Sequence, residues 1–541
     1  MIRWLIIAWL AGVGLLQAAP ASETARSGVR ALPQAAPASE PAPYLWILAQ
    51  QSADIHRFST LFTAQCVQSY LSSEEDITDA IRWCKSTGVT QVYLEAYRDG
   101  YQAEAETLRQ ARDRFRAAGF LVSGCVTTTR LGKPSDHWSS HMQCYSDPAT
   151  QEHLQAVFEF AAGLFDEIMI DDFWFSDCAC PLCDAARRAR TVAVGPKTYP
   201  VNGDSWSDYR RELMLRLSQD RLLAPAKRVN PNVRLIIKYP QWYDIFQDRG
   251  YDVARETAVF DRIWVGTETR DYNDWHWGGT AQYEGYFLMR WLGGIGGEKC
   301  GGGWFDWLGT TEKTYVEQAR QTILAGARES MLFCYGGLHR DTGPADIAAL
   351  RANIPELLSA AREVRRRQPE GIAAYKPPNS NAGEESRVFD FAGMIGLPLV
   401  PCHEFPTNAP AAFLSVHALA DTNLVSELAA FIQSGRPLLL TDGLERRLLG
   451  RIDLSATNVH LLVVDARPES LLELPQPMLD GIRAPLLGAL HAVFRAPDRV
   501  ALYLFTQGGW VVENFNDAPV DVVLNGQPLE VGARGWLCHW E

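Results

Sequence analysis

From about residue 58 to residue 362 the chain alternates eight times between short, near-continuous apolar runs and longer stretches whose apolar residues recur every three or four positions. An unbroken apolar run suits a strand buried on both faces, and the longer spacing is that of an amphipathic helix. The runs fall at 61–67, 90–96, 120–127, 167–173, 233–239, 262–268, 301–307 and 329–335, and helical patterns fill 75–86, 103–118, 152–164, 209–229 and 314–327. Gly88, Gly119 and Gly326 stand where a helix gives way to the next strand, the usual C-terminal glycine. Strand starts lie 29, 30, 47, 66, 29, 39 and 28 residues apart. Four of these gaps fit a minimal strand–helix unit, and the longer ones imply extended loops after strands three, four and six. Eight such units predict a closed (β/α)8 TIM barrel over 44–367. The competing doubly wound open sheet would carry a glycine-rich phosphate loop after its first strand, and the sequence has none there.

The pattern changes beyond residue 367. Polar, proline-containing 368–378 reads as a boundary. Apolar runs at 371–375, 398–400, 412–416 and 437–441, with helical patterns at 384–395 and 423–434, predict a small α/β domain over 368–465 of flavodoxin or amidotransferase type. Strands are expected at 500–506, 509–515, 520–524 and 536–540, punctuated by Asn516-Asp517 and Asn525-Gly526. They predict a small β-sandwich-like domain over 466–541.

The length of 541 residues suits three to four domains, fewer where one is a barrel. With 47% hydrophobic and 21% charged residues the chain is not a disordered one. Lys and Arg total 51 against 64 Asp and Glu, and the net charge of −13 disfavours nucleic acid and anionic membrane surfaces as partners. Residues 1–19 combine an early Arg, an apolar centre and small residues at Ala18-Ala19, the layout of a signal peptide. An uncleaved anchor helix is the alternative. With 20–43 as a flexible, Ala/Pro/Ser-rich linker, a secreted or periplasmic protein is expected, without membrane attachment after cleavage.

In a barrel of this kind the working residues sit at the carboxyl ends of the strands. Asp171 and Asp172 end strand four, Glu268 and Arg270 strand six, and Asp306 strand seven. Glu95 and Arg98 end strand two, Lys238 strand five, and Tyr335 and His339 strand eight. One acid at a strand end is commonly a loop cap or a solvated charge, but several at one mouth point to function. Six of the 17 Trp fall between Trp264 and Trp307, and these six, Trp264, Trp275, Trp277, Trp291, Trp304 and Trp307, with Trp174 and Trp242, are expected to flank that mouth. Core packing accounts for some of them; aromatic faces beside carboxylates suit sugar rings. Cleaving a sugar bond takes two carboxyl groups. Strand alternation turns Asp171 and Asp172 in opposite directions, and Asp171 is expected inward by analogy with barrels of the α-amylase kind. Glu268 is the expected acid/base, with Asp306 in reserve. No G-x-S-x-G elbow or paired His/Asp strand end supports a serine or metal-dependent hydrolase, and no organic cofactor is expected.

Cys178, Cys180 and Cys183 form a C-x-C-x2-C run just after strand four, and Cys144 lies in the neighbouring loop after strand three. Four thiolates can close a tetrahedral structural zinc site; disulfides formed during export are the alternative.

These four cysteines, and the order barrel, α/β domain, β domain, resemble the zinc-containing β-galactosidases of glycoside hydrolase family 42. The resemblance implies a structural zinc on Cys144, Cys178, Cys180 and Cys183. It also implies a trimerisation-type domain from Val388-Phe389-Asp390-Phe391 to Thr441-Asp442-Gly443, hence a homotrimer. The chain departs from that family at its centre. Where the family has Asn-Glu after strand four and Glu near strand seven, this sequence has Asp171-Asp172 and Asp306. β-Galactosidase activity therefore does not carry over. The expectation is an exported glycoside hydrolase acting on a poly- or oligosaccharide, or else a catalytically inactive glycan-binding or scaffolding barrel.

Overall fold

The computed structural model describes residues 42–137, 141–273 and 279–540. The expected signal segment, nearly all of the expected linker, and Trp275 and Trp277 lie outside the described residues.

Eight parallel strands close a barrel: β1 (Arg57–Phe62), β2 (Val89–Arg98), β3 (Leu121–Val126), β4 (Glu167–Ile170), β5 (Arg234–Tyr239), β6 (Arg262–Gly266), β7 (Cys300–Asp306) and β8 (Glu329–Phe333). Closure is direct, since Phe58 of β1 pairs with Val89 on one side and Ser330 on the other. Every strand contributes one residue to a packed middle layer of Leu61, Tyr93, Cys125, Met169, Ile236, Trp264, Trp304 and Met331. Side chains two positions further along share that inward face. Glu95, Asp171, Lys238 and Asp306 thereby form the next layer up, at the carboxyl end.

The first strand differs from its expected range. The run 61–67 is split, because Thr63 accepts a hydrogen bond from the Cys66 amide and starts a helix over Ala64–Tyr70. A short buried apolar run reads alike as strand or helix. The expected helix at 209–229 is Trp206–Leu217, a wide turn over Ser218–Leu223, and Ala224–Val229.

The α/β domain is a parallel sheet in the order Leu399–Cys402, Ile372–Tyr375, Ala412–Leu414, Leu438–Thr441, Val459–Leu462, the 2-1-3-4-5 order of flavodoxin-like sheets. Its fifth strand was not legible in the sequence. The β domain stacks a four-stranded sheet (Pro369–Glu370, Val500–Phe505, Gly509–Asn514, Trp536–His539) on a three-stranded one (Phe494–Arg495, Val520–Leu524, Gln527–Val531), behind a helix over Gln476–Gly488. Pro369–Glu370 lies inside the expected linker yet pairs with Val500–Phe505, so the boundary segment is part of the last sheet. The barrel helix Glu312–Leu324 is buried from Thr314 to Leu324 because the β domain covers its outer side: Arg320 donates to the Arg534 carbonyl (2.8 Å) and Gln321 to the Tyr503 hydroxyl (2.7 Å). Among the described residues no helix is long and apolar enough to cross a membrane.

Candidate active site

Around the carboxyl end of the barrel, five carboxyl groups meet three cations. Lys238, 1% exposed, places Nζ 2.9 Å from Asp172, 3.2 Å from Glu268 and 3.9 Å from Asp171. Arg98 bridges Glu95 (2.8 Å) and Asp171 (2.7 Å). Arg270 takes a left-handed φ of 58° that turns its guanidinium onto Asp306, 2.6 Å away. Asp171 is fully engaged: the Asp172 amide donates to Oδ1 at 2.8 Å, and Thr127 Oγ1 to Oδ2 at 3.0 Å. Glu268 is buried, and its Oε2 accepts no hydrogen bond from the described residues.

Three cations cannot neutralise five carboxylates of which four are buried and the fifth, Asp172, is 19% exposed, and unpaired buried charge is costly. The charges sort accordingly. Burial alone would raise Asp171, but the Arg98 guanidinium and the Lys238 ammonium outweigh it and hold the carboxyl below its ordinary range. Burial raises Glu268 against the pull of Lys238 and Arg270. Burial pushes Asp172 up to about 8, with Lys238 opposing and the Asp171 and Glu268 charges adding. Glu95 and Asp306 are raised as well, again chiefly by burial. One group is held anionic and its neighbours are biased to keep a proton, as acid/base chemistry at neutral pH requires.

Asp171 and Asp172 do not diverge as strand alternation predicts. Asp171 keeps the inward face, but β4 ends at Ile170 and the chain turns at Asp172, so the Asp172 side chain reaches Lys238 too. Two further groups carried no signal in the sequence. Thr127 lies two residues beyond inward-facing Cys125 and bonds both Glu95 (2.5 Å) and Asp171. Gln241, with its amide nitrogen toward Glu268 (3.2 Å) and its oxygen toward Arg270 (3.3 Å), joins these two.

The aromatic residues divide. Trp304 floors the site, with Lys238 Nζ 4.2 Å from its ring centroid and Phe333 stacked on it at 5.3 Å. Trp242 and Trp307 are half-buried; Trp242 packs edge-on against Phe175 and Tyr251. Trp174, by contrast, is completely buried, its Nε1 donating to Ser218 at 3.0 Å and its ring against Tyr145. It is core, where the expectation had it flanking the mouth. Tyr335 and His339 are not brought to the carboxylates either: they pack with Phe62, Tyr70 and Trp83 in a separate aromatic group. Trp264 and Trp291 are core as well, against the expectation: Trp264 belongs to the middle layer of the barrel, and Trp291, on the helix Glu284–Gly296, donates to the Lys376 carbonyl of the α/β domain.

Beside the mouth, the sulfurs of Cys144, Cys178, Cys180 and Cys183 all lie within 4.8 Å of one another, and all four residues are buried. Three of the edges measure 3.5 Å (Cys144–Cys183), 3.6 Å (Cys144–Cys180) and 3.8 Å (Cys180–Cys183). Four sulfurs held about 2.3 Å from a tetrahedral zinc lie about 3.8 Å apart, so this donor set fits that ion. No disulfide joins any two of them. Asp136 accepts from the Ala179 amide at 2.8 Å and ties the two loops together beside them.

Comparison with known proteins agrees with this fold. A family model described as the catalytic domain of a probable glycosyl hydrolase matches residues 46–349. An uncharacterised protein of Saccharolobus solfataricus is 25% identical over 462 residues, 81% of this chain and 70% of that one. An α-L-fucosidase isoenzyme 2 from Paenibacillus thiaminolyticus superposes with a TM-score of 0.59 at 11% identity, covering 88% of this chain and 91% of the other. That last likeness is one of fold alone.

Proposed function

Because this chain belongs to the family of probable glycosyl hydrolase catalytic domains, we propose that it cleaves glycosidic bonds of a poly- or oligosaccharide with Asp171 and Glu268 as its carboxyl pair. The observation that carries the reading is their opposite displacement around one ammonium group: Asp171 is held low and Glu268 is raised, both on Lys238. Glu268 would give its proton to the leaving oxygen, and Asp171 would stay anionic beneath the developing positive charge at the anomeric carbon. Asp172 and Asp306 are the neighbouring acids that keep Lys238 and Arg270 in place. The half-buried Trp242 and Trp307 offer apolar surface near a sugar ring, and Trp304 supports Lys238 from the packed layer beneath.

The pH dependence follows from these roles. Activity should fall as pH drops through the lowered pKa of Asp171, which must be anionic. It should fall again as pH rises through the raised pKa of Glu268, which must be protonated. Glu268→Gln is expected to cost about 10²–10⁴-fold on a substrate with a poor leaving group and to abolish the alkaline limb. An aryl glycoside, whose leaving group needs no proton, should lose much less. An unchanged alkaline limb in the variant would assign the acid elsewhere, with Asp172 next in line.

A second reading, a barrel that binds glycans without turnover, draws on the saturation of Asp171 by Arg98, Thr127, Lys238 and the Asp172 amide. Tight glycan binding with no product on a broad oligosaccharide panel would favour it.

We propose further that Cys144, Cys178, Cys180 and Cys183 hold one structural zinc. With all four positions taken by thiolates the ion would have no open site for chemistry, and it would pin the loops after β3 and β4. The same resemblance to family 42 supports a homotrimer through the α/β domain, tested by light scattering. Export of the mature chain is tested by cell fractionation and N-terminal sequencing.

A further inference from the structure

We infer that the α/β domain positions the acid of the barrel, with Asp244 as the positioning residue through which it does so; the inference rests on the assignment of Glu268 above. In a parallel sheet of order 2-1-3-4-5, the crevice at the carboxyl ends of the first and third strands is where such domains take a ligand. Here those strands are Ile372–Tyr375 and Ala412–Leu414, followed by Lys376 and Ser380 on one side and His417 on the other. The barrel fills this crevice with its own Asp244, from the loop after β5. Asp244 Oδ1 lies 2.8 Å from His417 Nε2, and Oδ2 accepts from the Arg387 amide at 2.8 Å. His417 Nδ1 lies 2.9 Å from Ser380 Oγ, which accepts from Lys376 Nζ at 3.1 Å. Next to Asp244, Tyr243 donates to Asp390 at 3.1 Å.

A row of Asp, His and Ser has the components of a hydrolytic triad, but all three are buried, with Ser380 at 0% and His417 at 1% exposure. The acid also comes from a different domain from the serine and histidine. A fully satisfied buried polar row of this kind fixes one arrangement rather than meeting a substrate. What it fixes is the loop after β5. Three residues before Asp244, Gln241 spans Glu268 and Arg270, and at the strand end Lys238 holds Asp171, Asp172 and Glu268. The segment 238–244 is thus held by the α/β domain at one end and holds the carboxyl groups at the other.

Hydrogen exchange on the full-length chain tests this without a substrate, and so separately from the hydrolase reading. Asp244→Ala is expected to speed amide exchange about tenfold or more in the loop 241–246 and also in 264–271, the stretch that carries Glu268. Asp244→Asn keeps an acceptor for the Arg387 amide and should stay near wild type. Gln241→Ala should loosen 264–271 while leaving 376–420 as in wild type. Should Asp244→Ala fail to fold, Tyr243→Phe, which removes only the hydroxyl bond to Asp390, is expected to give the same pattern at smaller amplitude. Loosening confined to 241–246 and 376–420, with 264–271 unchanged, would overturn the inference and leave Asp244 a local tie between domains. On any glycan that is turned over, Asp244→Ala should lower kcat with KM kept and move the alkaline limb of the pH profile. An unmoved limb would overturn it equally.

Discussion

Asp171→Asn is expected to lower kcat on a cleavable glycan by on the order of 10⁴-fold while leaving glycan binding within a few-fold of wild type. The size follows from what is lost. Asp171 is the carboxyl that its neighbours hold anionic: Arg98 at 2.7 Å and Lys238 at 3.9 Å outweigh the burial that would otherwise protonate it. An amide of the same shape keeps one acceptor oxygen for the Asp172 amide and can donate from its nitrogen to the Thr127 hydroxyl, so the local packing should survive. It brings no negative charge to a cationic transition state and cannot attack carbon. Because the effect falls on the transition state and little on the bound sugar, it should appear in kcat rather than KM. Circular dichroism and the melting temperature check that the variant is folded, and calorimetry against a slow oligosaccharide checks binding. Product NMR on the wild-type enzyme then reads the role: retention makes Asp171 the nucleophile, inversion makes it the base that activates water. A variant that keeps more than about a tenth of wild-type turnover would remove Asp171 from the chemistry, since losing an essential carboxylate costs far more than tenfold.

The second large effect concerns the thiol cluster. Metal analysis of the purified chain is expected to find one zinc per molecule, and stripping it is expected to lower the melting temperature by roughly 10 °C. Structural zinc contributes about 10–16 kcal/mol of apparent binding free energy in small peptides. In a chain this long each kcal/mol lost is worth only about 1–2 °C. Much of the loss should be local, because the sulfurs join the segment around Cys144 to the helix Pro181–Ala189. Cys178→Ser should reproduce the loss. Cys402→Ser, half-buried and outside the cluster, should not. Metal-free protein with the same melting temperature, or cysteines found oxidised in pairs, would end the zinc proposal.

How much of this was legible in the sequence follows from which interactions leave a periodic trace. The barrel was legible because parallel strands covered on both faces must be apolar at every position, and Met169-Ile170 or Ile236-Ile237 can hardly be read otherwise. The four cysteines were legible because a run of three thiols and a fourth in the adjacent loop leave their spacing in the chain. The charges at the mouth were legible as residue types at strand ends. Their pairings were not, since Lys238 meets Asp171 across 67 positions and Arg270 meets Asp306 only through a left-handed turn. Trp174 was misplaced because nothing local tells a tryptophan that leaves a strand end for the core from one that stays at the rim. Thr127 and Gln241 went unread because neutral residues make no charge pattern. The helix Gln476–Gly488 was missed because Gly481 and Pro485 interrupt its apolar spacing.

The helix Glu312–Leu324, apolar and polar residues alike covered along most of its length, has a consequence for how such a protein can be taken apart. Glu317, Arg320 and Gln321 are shielded from water by residues that arrive some two hundred positions later in the chain. A barrel cut off at residue 367 would present that whole flank bare, in a state no stretch of its own could cover. It is therefore not a portable cassette: recombination that grafts this catalytic unit onto another protein must carry the distant tail along with it, and lineages that keep one should be found to keep both.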